Sequence, residues 1–496
     1  MPCRSTRLLA AAVATLLGAC TLEPHYHRPP APVPALEGGT AGGTSAADTG
    51  WREFFPDPQL QQLIALALTN NRDLRVAALN VQSAQAQYRI QRAQLFPTID
   101  ASADEQVNRI PLGVLEGQIP PGVLPAGGAG GGTAITPPSG ITTHTYDVSV
   151  GFTNYELDLF GRIRSLSHAA LQQYFSSGET RRNVQLTLVA EVATAYVTVL
   201  TDQTLLDITR DTLKSQQDSF SLTQKLFNGG TSTELAVRQA ETTVDTARAN
   251  LAQYNRQLAQ DKDALQLLLG APIPDDIDFS RGLDRENVIA ELEEGIPSDV
   301  LLRRPDVLAA EHQLMAANAQ IGAARAAFLP SIALTGNFGT ESPQLSGLFK
   351  GGSQAWAFSP QISVPIFAGG ANVANLQATK VARDAAVAQY EKAIQTAFRE
   401  VADALVARGT LDEQLAAQQA LVTASAAAYR LADMRYRGGV DSYLTALVAQ
   451  VSLYGTQQQL QAVRLTRLEN LVTLYKALGG GLRESSPTPS GASTSN

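Results

Sequence analysis

Two periods organise the hydrophobic positions of this chain. Leu186, Val189, Val192, Tyr196, Val199 and Leu206 recur at three- and four-residue spacing, the period of a packed helix. Elsewhere the period is two. Tyr146, Val148, Val150 and Phe152 alternate with Thr145, Asp147, Ser149, Gly151 and Thr153. Ile332, Leu334 and Phe338 alternate with Ser331, Thr335 and Asn337. Trp356, Phe358, Ile362, Val364 and Ile366 alternate with Ser359, Gln361 and Ser363. Ile99, Ala101, Ala103 and Val107 alternate with Asp100, Ser102, Asp104, Gln106 and Asn108. Each predicted strand therefore has an apolar face and a face of hydroxyls, amides and carboxylates. That is the pattern of an outer-membrane barrel with a wet lumen. A soluble antiparallel sheet with one solvated face produces the same alternation.

Proline positions set the helix lengths. None falls between Gly161 and Ala271, or between Ile366 and Ser486. Within each stretch a run of about 70 helix-forming residues meets a Gly-Gly pair, and a second run of about 39 follows. Seventy residues make a helix of roughly 105 Å. Helices of that length persist by packing side by side in coiled-coil fashion. Gly229-Gly230 and Gly438-Gly439 break them, so two helical hairpins are expected. Shorter helices are predicted over 58–96 and 298–329, the latter with Pro305 in its first turn.

The plan occurs twice. Ala93 to Ile99 matches Ala326 to Ile332, and Leu226-Phe227-Asn228-Gly229-Gly230 matches Arg435-Tyr436-Arg437-Gly438-Gly439. Gly229 to Gly270 is 41 residues, and so is Gly438 to Gly479. Two structural repeats, 58–275 and 298–480, are joined by a linker at 276–297. The first holds strands at 98–110 and 143–156, the second at 331–341 and 355–366. Four strands cannot close a barrel, and open edges in lipid leave backbone groups unpaired. Three copies would supply twelve strands, so a homotrimer is expected. Residues 111–141 and 341–352 would be its outer loops.

Composition narrows the class. Of 496 residues 44% are hydrophobic and 17% charged, with a net charge of −8. No basic surplus suits a nucleic-acid partner. No later stretch approaches the roughly 18 uninterrupted apolar residues of a spanning helix. Arg4, Arg7 and the apolar run from Leu8 to Ala19 read as a signal peptide over 1–19. Leu17-Gly18-Ala19-Cys20 is similar to a bacterial lipoprotein box, which implies cleavage before Cys20 and covalent lipid there, a diacylglycerol and an N-acyl chain. Thr21 favours the outer membrane. Residues 20–57, rich in Pro and Gly, read as a lipid-anchored tether, and 481–496 as a disordered tail.

The chain resembles the outer membrane factor family, the TolC-like and NodT-like lipoproteins of tripartite efflux pumps. The resemblance rests on the lipoprotein box followed by Pro24-His25-Tyr26, on Ile296 to Val307 with its Leu301-Leu302-Arg303-Arg304-Pro305-Asp306-Val307 run, on Ala319 to Pro330, and on Arg435 to Leu444. It implies an α+β membrane protein: a trimeric β-barrel in the outer membrane, continued by a periplasmic α-helical barrel. A periplasmic adaptor and an inner-membrane transporter are the implied partners, with drugs or other toxic solutes as cargo. A type I secretion channel and a lipid-anchored periplasmic coiled-coil rod are the alternatives.

Candidate chemistry is sparse. Gly127 to Gly132 lacks the Lys-Ser/Thr of a phosphate loop. His25 and His27 form an incomplete metal site, Glu311-His312 lacks a second histidine, and no nucleophile motif is present. No enzyme, metal or cofactor is expected. The resemblance implies rings of charge closing the periplasmic end, and Asp441 and Arg437, flanking Gly438-Gly439, match that place. The alternative is a solvated loop charge. Val448 stands where many relatives carry an acidic residue, and Ser232 takes the Asp441 position in the first repeat. The tips at Gly229, Gly230, Gly438 and Gly439 are the candidate adaptor-docking surface.

Overall fold

The computed structural model describes residues 21–33, 49–111, 140–283, 289 and 302–485, excluding the side chain of Ile141. Cys20, the Gly-rich run 127–132 and most of the linker lie outside these residues. The elements are α1 (Trp51–Phe54), α2 (Pro58–Asn70), α3 (Arg72–Ala93), β1 (Asp100–Pro111), β2 (Gly140–Leu157), α4 (Arg162–Asn228), α5 (Glu234–Leu269), α6 (Pro305–Ala326), β3 (Ser331–Ser342), β4 (Gln354–Ser363), α7 (Ala371–Arg437) and α8 (Tyr443–Ala477). They group into two compact units, one of residues 1–26, 86–171 and 316–383, the other of the remainder.

The first unit holds a four-stranded antiparallel sheet in the order β1-β2-β3-β4. A register shift between Phe152 and Tyr155 marks a bulge, where Asn154 adopts φ +56° and its N–H donates to Thr335 Oγ1 at 3.3 Å. Residues of the presumed tether pack into the same unit. Asn318 donates to the Pro24 carbonyl at 2.7 Å, Arg325 to the Leu22 carbonyl at 3.1 Å, and Glu23 pairs with His168 at 3.0 Å. A Cβ on Gly322 would stand 2.9 Å from Glu23 Cα, so the close approach requires glycine.

The second unit holds the helical body. The single helix expected over 58–96 is two helices, because Asn71 interrupts it. Its side chain accepts from Leu74 N–H at 2.9 Å, capping α3, and donates to the Leu268 carbonyl at 2.9 Å. Asp57 and Pro58 start α2, the Asp57 carboxylate accepting from Gln59 N–H at 2.8 Å. α2 buries Leu60, Leu63, Ile64 and Ala67 and packs against α5. Phe54 stacks on Tyr475 at 3.9 Å between centroids, with Phe55 edge-on to it.

The chain flanks are less free than their composition suggests. Trp51 is buried, and its N–H donates to the Arg483 carbonyl at 3.0 Å. Arg52 pairs with Glu484 at 2.8 Å. Residues 483–484 of the presumed tail therefore pair with α1. Arg28 grips the buried Glu311 carboxylate with two bonds of 2.7 and 2.6 Å.

Candidate functional site

The register sorts every strand residue onto a face. Ala101, Val150, Phe338 and Trp356 form one row across all four strands, and Ala103, Val148, Thr340 and Gln354 the next. Phe358, Ile332 and Ile362 extend the apolar band. Trp356 is 76% exposed and Phe338 63%, values that a chain in water does not favour for neighbouring aromatics. Beyond the band the same face turns polar: Glu105 opposes Tyr146, and His144 Nδ1 lies 3.2 Å from Glu105. The alternation read from sequence passes over Glu105, which sits among apolar positions.

The opposite face is mostly hydrophilic, with Ile110, Ala333, Ala355 and Ala357 among its polar side chains. Asp104, Asp147 and Glu341 occupy one row across β1, β2 and β3. Like charges directly opposite on a sheet repel. Ser149 donates to Asp147 at 2.8 Å and faces Ser102 at 3.3 Å, which gives the row partial hydrogen-bond support. Among the described residues β1 and β4 each have one neighbouring strand, so both sheet edges carry unpaired backbone groups there.

The hairpin tips share one backbone solution. At the first, Gly230 takes φ +75° and Thr231 N–H donates to the Leu226 carbonyl at 2.9 Å. At the second, Gly439 takes φ +71° and Val440 N–H donates to the Arg435 carbonyl at 2.9 Å. Both are glycine-closed helix ends, in which left-handed backbone satisfies otherwise orphaned carbonyls.

The side chains differ. Asp441 accepts two bonds from Arg435, at 2.6 and 2.9 Å, and this pairing holds its carboxyl below the usual range. Arg437 pairs instead with Asp433 at 2.8 Å. Asp441 and Arg437 therefore sit at one turn without pairing to each other: residues four apart on a helix meet, and the turn folds Asp441 back over Arg435. The equivalent places in the first tip are neutral, Gln224 donating to Asn228 at 3.4 Å. Between the tips lies a groove of about 780 Å³ lined by Leu222, Leu226, Leu235, Tyr436, Tyr443 and Leu444. Burial pushes the Tyr443 hydroxyl up to about 12.

Two features escaped the sequence reading. Arg304, in the Arg-Arg-Pro-Asp run, is 6% exposed and bridges Asp306 and Glu400, each at 2.7 Å, while donating to the Ala477 carbonyl at 3.0 Å. That run clamps α6, α7 and α8 together. The other is a buried polar stripe on α4: Asp202, Thr209, Gln216 and Thr223, seven residues apart and each under 5% exposed. Thr209 meets Tyr454 Oη at 2.9 Å, and Thr223 meets Tyr436 Oη at 3.1 Å. Its seven-residue spacing was the signal available in the sequence.

Comparison with known proteins places these features. The family described as outer membrane efflux protein matches residues 63–271 and 296–480. The toluene efflux pump outer membrane protein TtgC of Pseudomonas putida is 48% identical over 484 residues, 96% of each chain. The antibiotic efflux pump outer membrane protein ArpC of the same species shows the same identity and coverage. The crystal structure of the open state of the Neisseria gonorrhoeae MtrE outer membrane channel superposes with a TM-score of 0.81 at 38% identity, covering 95% of this chain and 100% of that one.

Proposed function

The chain belongs to the outer membrane efflux protein family, and from that premise we propose how it works as the outer-membrane channel of a tripartite efflux pump. The observation that carries the reading is the two-faced sheet with both edges open. Three copies joined edge to edge give a twelve-strand barrel, its band of Phe338, Trp356 and Phe358 against lipid and its carboxylate row around water. The helical hairpins extend into the periplasm. Cys20 carries lipid, and a periplasmic adaptor and an inner-membrane transporter of the RND type complete the path. The names of the relatives point to aromatic solvents and antibiotics as cargo. The duct is passive.

Nine carboxylates at one level of a trimer, Asp104, Asp147 and Glu341 from each copy, disfavour anions in the lumen. At the tips, three Arg435–Asp441 latches hold the closed end, with the Arg437–Asp433 pair beside each. The groove and the turns at Gly229-Gly230 and Gly438-Gly439 receive the adaptor.

Planar-bilayer recording of the purified mature protein tests this. Detergent-solubilised trimers should conduct and prefer cations, and Asp147→Asn should weaken the preference. Arg435→Gln should raise the open probability, because an exposed latch that favours the closed end is removed. A monomer soluble without detergent overturns the channel reading. Unchanged opening in an intact Arg435→Gln trimer removes the latch alone.

A further inference from the structure

Asp202 stands at the start of the polar stripe on α4, two turns from Thr209, and is 3% exposed. A lone carboxylate so deep in a protein is costly unless a positive partner or several donors hold it. Among the described residues neither is recorded. Instead Asp202 lies within hydrogen-bonding reach of Asp261 on α5, and both carboxyls carry a buried oxygen that no donor reaches.

The surroundings offer little compensation. Tyr254 on α5 is near enough to feel the Asp202 charge, and its hydroxyl accepts from Gln458 of α8 at 2.8 Å. Lys262, next to Asp261, places Nζ 5.1 Å over the Phe279 ring. Arg464 and Arg467 of α8 reach Gln419 and Asp412 on α7, and Arg210 of α4 pairs with Asp207. α4 and α8 are antiparallel and joined where Thr209 meets Tyr454. Two turns further along, Gln461 of α8 stands at the level of Asp202, 5% exposed with an unpartnered amide oxygen. Gln461 supplies no positive charge.

Two facing acceptors without a donor become a sound pair when one proton lies between them. We propose that Asp202 and Asp261 share a proton at neutral pH, and that this carboxylic acid–carboxylate bond clamps α4 to α5 in a pH-dependent way. The proton leaves one carboxyl oxygen of the pair for water as the pH rises, and two like charges then face each other across the helices. Burial, then the neighbouring Asp261 carboxyl, pushes Asp202 up to about 8, which agrees with the geometry. The folded chain then keeps a proton that the unfolded chain releases at ordinary carboxylate pH. The stability from the clamp is complete at acid pH and falls as pH rises toward about 8.

The test uses the full mature chain in detergent. Infrared spectra at neutral pH should show the carbonyl stretch of a buried protonated carboxylic acid, fading on titration to about pH 9 and missing in Asp202→Asn. The thermal midpoint should fall by a few degrees between about pH 6 and about pH 9, and fall less in Asp202→Asn. Should Asp202→Asn fail to fold, Asp261→Asn and the wild-type infrared titration carry the test. Absence of a protonated band in the wild type overturns the proposal. So does a midpoint that rises with added sodium or potassium chloride while no such band is seen, because the pair would then hold a metal cation.

Discussion

Along α4 the buried side chains change character partway down one helix. From Leu186 to Leu200 they are aliphatic and aromatic: Val192 and Val199 are fully buried, and Tyr196 is 1% exposed. From Asp202 to Thr223 a buried polar residue recurs at every seventh position. The apolar stretch gains from burial at roughly 25 cal/mol per Å², a contribution lost outright when water enters. The polar stretch is held by hydroxyl bonds, such as Ser215 with Tyr429 at 3.1 Å, each worth about 1 kcal/mol net because water can replace the partner. One helix thus combines a fixed core with a seam whose neighbours can separate cheaply toward the tip. Polar residues at core positions also fix helix register, which long hydrophobic seams specify poorly.

Breaking the apolar side should cost most. Tyr196→Ala removes a buried ring and its bond to Asp57 at 3.0 Å, and should lower unfolding free energy by about 3–5 kcal/mol in denaturant titrations. Next come the turns: Gly230→Ala and Gly439→Ala force a Cβ into left-handed backbone and should each cost about 1–2 kcal/mol. Equal costs would show that the tips share one backbone solution, and unequal costs would break that equivalence. On the polar side, Thr223→Val should cost about 1 kcal/mol, and a double-mutant cycle with Tyr436→Phe should recover a coupling of similar size. A coupling near zero would mean the stripe sets register without adding strength. The smallest effect should be that of Arg435→Gln on unfolding, close to none in denaturant titrations, since the ion pair is exposed at the tip.

The tips extend the lesson. The first is neutral at every position where the second is charged, on the same backbone. Gly-Gly was enough to place both turns from sequence, because left-handed backbone is a local demand. The partner of Asp441 was not legible, since the nearer Arg437 is four residues away and the true partner Arg435 is six. Helical phase decides between them by turning Arg437 toward Asp433. Arg304 was legible as part of a motif but not as a clamp, because Glu400 and the Ala477 carbonyl arrive from elements distant in sequence.

By itself the sequence determined the long helices, the two turns, the two-faced strands and the family. All of these follow from backbone sterics, proline placement and side-chain period, which act over a few residues. Tertiary structure alone decided that Asn71 splits the first helix, that residues 22–28 and 483–484 pack against the protein, and that Asp202 meets Asp261. Each of these depends on which elements lie side by side, and there burial and partner choice outweigh local propensity.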